Sequence, residues 1–227
     1  MKKTLIALMM CSPIVCAAQS EWEAPTTAAK ETKAQSKTTK QAANAASAAT
    51  PSDAAAMNIK DWKYIKEGAV PEVDGKIVFA RDIAIDGKDA QQIYDRTYVA
   101  LDSLTNDKNQ INSSIALINR KEHSIVARCQ EWLEFNRSFL ALDRTKFSYV
   151  VVARCTDGHL NLSLERLAYN YEEGRATELK TTAEKWIADK YAVNKKRTKL
   201  TPGSAKFRKK TIDRANEIFK QIETAVK

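Results

Sequence analysis

The chain has 227 residues, 44% of them hydrophobic, and a formal net charge of +9. The charge is uneven: residues 57–173 carry 16 Lys and Arg against 18 Asp and Glu, whereas residues 174–227 carry 15 against 6. That distribution excludes a uniformly basic protein; the basicity belongs to the C-terminal quarter.

Lys2 and Lys3 precede an apolar run from Leu5 to Met10 that continues through Ile14-Val15, and Cys16-Ala17-Ala18 puts small residues at a cleavage position. The pattern predicts a secretory signal peptide over residues 1–18, too short for a stable membrane span, with Gln19 as the mature N-terminus. A lipoprotein signal with lipid on Cys11 or Cys16 is the alternative, although Met10 and Val15 stand where a small residue is usual. Either way the expected address is outside the cytosol: periplasm, cell surface or medium. Residues 19–56 contain no Ile, Leu, Val, Phe or Tyr, and Trp22 is their only large apolar group. So little burial cannot offset the entropy of ordering, which predicts a flexible tether. Met57–Lys227 then forms one domain with a basic helical part over 174–227.

Within it, Lys76–Ile85 alternates as a strand with Ile77, Phe79, Ile83 and Ile85 on one face, between turns at Asp74-Gly75 and Asp86-Gly87. A helix follows from Asp89, a good N-cap, to Leu104, with Ile93, Thr97, Ala100, Leu101 and Leu104 at helical spacing. Four β-runs come next. Ser114–Ile118 is short and apolar. Ser124–Phe135 places Ile125, Ala127, Cys129, Leu133 and Phe135 on one face; Phe147–Cys155 does the same with Phe147, Tyr149, Val151, Ala153 and Cys155. Asp157-Gly158 is a two-residue hairpin signal, after which Leu160, Leu162 and Leu164 alternate with polar residues. Centring that hairpin on Asp157-Gly158 sets Cys155 opposite Leu160 and Val151 opposite Leu164, so the apolar faces coincide. Two helical stripes close the chain: Leu179, Ala183, Trp186 and Ile187, then Phe207, Thr211, Ala215, Ile218, Phe219, Ile222 and Val226. Pro202-Gly203 separates them, with Ser204 as the expected N-cap. The order β-α-β-β-β-β-α-α is an α+β layer, helices on one face of an antiparallel sheet.

The stretch Gly68-Ala69-Val70-Pro71-Glu72-Val73-Asp74-Gly75-Lys76-Ile77-Val78-Phe79, supported by Lys199-Leu200 and Gly203–Asp213, resembles a family of secreted proteins of Bacteroides-type bacteria, a domain of unknown function with a TATA-binding-protein-like (TBP-like) fold. The resemblance covers roughly residues 60–170. It implies a curved antiparallel sheet backed by helices, and it brings no active-site residues. The fold's name is not a function: the TATA-binding protein grips DNA with a duplicated saddle, and this chain holds one copy behind an export signal.

Sequence motifs offer little chemistry. There is no G-x-S-x-G elbow, no glycine-rich phosphate loop and no H-E-x-x-H. His123 and His159, the only histidines, fall at strand edges or turns. His123 and Cys129 are six residues apart on one strand, roughly 20 Å, too far for two ligands of one metal. Glu131 and Glu134 alternate to opposite faces, so no paired carboxylates emerge. No catalytic residue, metal or cofactor is expected. Cys129 and Cys155 share the tetrapeptide Val-Ala-Arg-Cys; a hairpin centred on Leu142 sets them opposite each other as a candidate disulfide, against two buried thiols as the alternative. Lys195, Lys196, Arg197, Lys199, Lys206, Arg208, Lys209 and Lys210 form a basic run without an acid. In the cytosol it would suggest nucleic acid; behind an export signal the expected contact is anionic lipid, acidic glycan or an envelope protein. The expected function is a non-enzymatic exported binding module acting through its sheet face or this segment. The alternatives are a hydrolase without a sequence signature and a structural subunit of a cell-surface assembly.

Overall fold

The computed structural model describes residues 60–137 and 142–227. The expected signal peptide, and all of the expected tether, lie outside the described residues.

The described chain opens with α1 (Trp62–Ile65) and the two-stranded hairpin β1 (Glu72–Val73) and β2 (Lys76–Ile77). Its turn is Asp74-Gly75, both left-handed at φ 49° and 72°, which is the backbone a two-residue hairpin needs. The expected single strand over 76–85 is therefore two: β2 pairs with β1, and β3 (Phe79–Ala84) joins the main sheet. The side-chain parity survives the break, since Ile77, Phe79, Ile83 and Ile85 are all buried. Helix α2 (Ala90–Thr105) starts in a full capping box: the Asp89 carboxylate accepts from the Gln92 N–H and the Gln92 side chain accepts from the Asp89 N–H.

The main sheet runs β3-β7-β6-β5-β4, entirely antiparallel, with β4 (Ser114–Asn119), β5 (Ser124–Arg137), β6 (Leu142–Thr156) and β7 (His159–Tyr171). Cys155 lies opposite Leu160 and Val151 opposite Leu164, as the hairpin reading requires. The β5–β6 register differs from expectation. Cys129 sits opposite Tyr149, not Cys155, and both thiols are free. Arg137 lies opposite Leu142, so Leu142 is the first residue of β6 and not the pivot; a bulge between Glu134 and Asn136 adds a further offset. A shift of the pivot moves every cross-strand partner with it.

Leu179–Thr182, expected as helix, is strand β8 paired with residues 168–171 of β7. Since β3 covers only residues 159–164 of that edge, the remaining backbone groups of β7 are open to a further strand. Thr181 and Thr182 suit it, being β-branched. Two single turns follow, α3 (Ala183–Trp186) and α4 (Asp189–Ala192), and then α5 (Pro202–Val226). Ser204 does not cap α5. Pro202 takes the first helical position, and the Ser204 hydroxyl, inside the first turn, donates to the Thr201 carbonyl.

Helices α2 and α5 pack on each other and on the odd-numbered face of β5 and β6. The core between them holds Leu101, Ile125, Val151, Leu160, Leu162, Phe207, Ile218 and Ile222. The opposite face, with Val126, Arg128, Gln130, Ser148, Val150, Val152 and Arg154, is half-buried or exposed throughout.

Replacing Val151 or Leu162 with Asp should abolish cooperative folding. Both are at most 2% exposed, and an unpaired buried charge costs roughly 3–5 kcal/mol, a large share of a domain's stability. Thermal unfolding followed by circular dichroism checks this; a native-like transition in either variant means the strand faces are misassigned.

Candidate functional site

Half of the basic segment is tied into the fold, and half stays exposed. Arg208 is completely buried. Its Nε donates to the Tyr64 carbonyl at 2.6 Å, its Nη1 to the Ile187 carbonyl at 2.6 Å, and its Nη2 to Asp189 Oδ1 at 2.7 Å. Burial pulls its pKa down from the usual arginine value, and Asp189 opposes that only in part. Arg197 holds the other Asp189 oxygen at 2.7 Å and reaches the Ile65 carbonyl. Lys206 donates to Asp143 at 2.8 Å and to the Tyr171 hydroxyl at 2.9 Å; burial would lower its pKa, but these two partners raise it. Lys209 pairs with Asp61. Four of the eight candidate cations therefore pair with carboxylates that lie outside the basic run. Lys195, Lys196, Lys199 and Lys210 remain exposed. The first three sit in the loop between α4 and α5, whose turn is set by Asn194 Oδ1 accepting from the Thr198 and Lys199 N–H groups.

Cys129 and Cys155 both face the core. Burial raises the Cys129 thiol from 9.0 to about 11, and raises Cys155 as well. His123 lies against the side chains of Gln91 and Tyr94, and His159 is 3.4 Å from Asp82. Neither approaches the thiols closely enough to form a ligand set; among the described residues no group of three or more His, Cys, Asp or Glu could hold a metal ion.

One buried charged pair escaped the sequence reading. Glu131, 1% exposed on the core face of β5, receives two hydrogen bonds from Arg214 of α5 at 2.8 and 2.7 Å and one from Gln110 at 2.9 Å. Burial would lower the Arg214 pKa, but Glu131 drives it far above the usual value. A forked guanidinium on both carboxylate oxygens is the arrangement that makes a buried pair tolerable. The one available signal was the charge itself: Glu131 breaks the apolar alternation of β5.

The open sheet face holds the unspent chemistry. Cross-strand pairing lines up Leu117, Val126, Val152, Ser163 and Ala80 in one row across five strands. Leu117 is 67% exposed. Val126 is directly opposite Val152, so the two Val-Ala-Arg-Cys tetrapeptides run outward from that pair in opposite directions. This places exposed Arg128 on one side of the apolar row and exposed Arg154 on the other. Neither makes an ion pair among the described residues. At the far end of the face, the Arg144 guanidinium lies 3.7 Å from the Trp132 ring centre, and Lys146 pairs with Glu173. These residues border a hollow of about 330 Å³ shared with Asn170, Tyr171 and Arg175. A second hollow of about 560 Å³ opens beside β7 between the start of β3 and the end of β8, lined by Lys76, Glu165, Arg166, Leu167 and Glu184. There Glu184 accepts from the Ile77 N–H at 3.1 Å. Burial pushes its pKa up, but the bonds from Thr182 and the backbone leave it below the usual carboxylate value.

Residues 79–170 match the domain of unknown function (DUF4468) with TBP-like fold. The chain is 39% identical to a DUF4468 family protein from Bacteroides ovatus known from a crystal structure, over 74% of this chain and 95% of that one, with a TM-score of 0.67. A crystal structure of a TBP-like protein from Parabacteroides distasonis superposes with a TM-score of 0.56 at 18% identity, over 69% of this chain and 96% of that one, a likeness of fold alone. No curated protein matches the chain. The chain belongs to the DUF4468 family, and its fold is the TBP-like one: an antiparallel sheet backed by helices.

Two outcomes follow. Arg208→Ala should cost roughly 3–5 kcal/mol in urea unfolding, because it leaves two carbonyls and one oxygen of Asp189 without their donor. The triple change of Lys195, Lys196 and Lys199 to Ser should stay within about 0.5 kcal/mol of the parent; comparable losses in both variants would deny this division of the segment. The thiols give the second. In the chain from Gln19, which has no cysteine besides Cys129 and Cys155, a thiol-reactive dye at pH 8 should label neither residue until denaturant is added. Because the folded thiol of Cys129 holds its proton to about 11 against 9.0 when solvated, its contribution to stability should decline as pH rises across that interval.

Proposed function

We propose that this chain is an exported, non-enzymatic binding module of the bacterial envelope, and that it holds an acidic partner protein against the open face of its sheet. The observation that carries the reading is the pair Arg128 and Arg154: exposed guanidinia on an uncovered sheet, flanking half-exposed valines. The polar clusters elsewhere close on themselves, Glu131 with Arg214 and Asp189 with Arg208 and Arg197, which favours binding over catalysis. Export is supported by the charged, apolar and small-residue sequence of residues 2–18. The cations left exposed at Lys195, Lys196 and Lys199 form a smaller accessory patch.

Two measurements test this reading. N-terminal sequencing of protein from the periplasmic or surface fraction should give Gln19; a retained Met1 or a lipid-bearing Cys16 contradicts the proposed processing. A photo-reactive side chain placed at Ser148, in the middle of the open face, should form a discrete adduct with an envelope protein in intact cells. The same group at Lys220, on the exposed side of α5, should not. Equal labelling from both positions, or none from Ser148, removes the open face as the binding surface.

A further inference from the structure

Arg128 and Arg154 are related by the register. Val126 and Val152 face each other, and each arginine lies two residues beyond its own valine on antiparallel strands. Along the sheet they are therefore four residues apart on adjacent strands, about 14 Å between Cα atoms, with the apolar row between them. The line joining them is inclined by roughly 20° to the strands, within the range in which one β-layer packs on another. Both residues are exposed. Of the acids on this face, Asp82 lies two strands from Arg154, 3.4 Å from His159, and Glu165 lies two strands from Arg128 and accepts from the Ser163 hydroxyl at 2.6 Å.

We infer that this surface receives an extended segment of a partner protein in which two carboxylates flank an apolar residue at alternate positions, acid-x-apolar-x-acid. The inference rests on the open face being the binding surface and specifies what it binds. In an extended chain, residues i, i+2 and i+4 point the same way, and i to i+4 spans about 13 Å. The carboxylates then meet the two guanidinia while the apolar side chain sits on Val126 and Val152, beside Leu117. An α-helix fits the span less well: its same-face spacings nearest to it are about 10.5 and 16.5 Å, and nine residues, which match the length, bring the second acid to the opposite side. Arginine suits the task because its planar fork accepts a carboxylate in two-point contact. Anionic lipid and glycan carry charge without this spacing.

The test uses the full chain and synthetic peptides at low salt, read by fluorescence anisotropy. The probe is Ser-Ser-Glu-Ser-Val-Ser-Glu-Ser-Ser. One control, Ser-Ser-Ser-Glu-Val-Glu-Ser-Ser-Ser, has the same composition with the acids drawn together; another replaces Val with Ser. Vesicles containing phosphatidylglycerol and an acidic polysaccharide, alginate, form separate arms. The probe should bind about fivefold more tightly than the close-spaced control, the size expected of two exposed charge pairs that only the probe forms together. It should also bind more tightly than the Val-less peptide, and lose affinity at high salt. Arg128→Gln and Arg154→Gln should each remove the preference for spacing while leaving the unfolding transition intact. Equal binding of the two spacings overturns the inference. So does binding by vesicles or alginate alone that is lost in the Gln variants. If Ser148 still gives its adduct in cells while the spacings bind equally, the binding face stands and the motif is wrong; if the adduct is also absent, both fail.

Discussion

The buried guanidinium of Arg208 fixes how the helical layer is assembled. It is fully enclosed, and its three bonds reach three separate elements: the Tyr64 carbonyl in α1, the Ile187 carbonyl just after α3, and one carboxylate oxygen of Asp189, the first residue of α4. Three short elements, none long enough to be stable alone, are thereby tied to the start of the longest helix. Arg197 completes the node from the following loop by taking the second oxygen of Asp189. The energetic logic is that of a buried ion pair: its net worth is modest, but losing one member strands the rest.

The Glu131–Arg214 pair does the equivalent for the sheet. It joins the middle of β5 to α5 across a core that is otherwise apolar, and Gln110 draws the segment before β4 onto the same carboxylate. Together the two nodes orient α5 against β5, with Phe207, Ile218 and Ile222 filling the space between. With α2 and α5 committed to one face, the arginines and half-buried valines of the other face stay at the surface among the described residues. An antiparallel sheet allows this, because alternate residues turn to opposite faces.

Strand existence and side-chain parity were legible because each β-run alternates over many residues. The Asp157-Gly158 turn even set the β6–β7 register, since a two-residue loop leaves no freedom in pairing. The β5–β6 register was not legible, because the sequence between the two runs carries no two-residue turn signal and the bulge after Glu134 adds a residue; Cys129 consequently lies opposite Tyr149 and not Cys155. Leu179–Thr182 was misread for a related reason. Four residues of helical or strand spacing are ambiguous, and it was the free edge of β7 that chose strand. The basic run was legible as charge and not as pairing. Sequence proximity showed eight cations without an acid, whereas Asp61, Asp143 and Asp189 come to them only on folding.

What the sequence by itself determined is the α+β composition, the core residues of each strand and of α5, the capped start of α2 and the family to which the chain is related. These depend on local periodicity and turn chemistry, which neighbouring residues encode among themselves. What only the tertiary structure decided is which charges are spent and which are free. Arg208 and Arg128 look alike in a sequence; one is enclosed by three elements that lie 19 or more residues before it, and the other is exposed on the strand face turned away from the helices. That difference arises because charge pairing acts through space, between residues that the chain brings together only when the sheet register and the helix packing are complete.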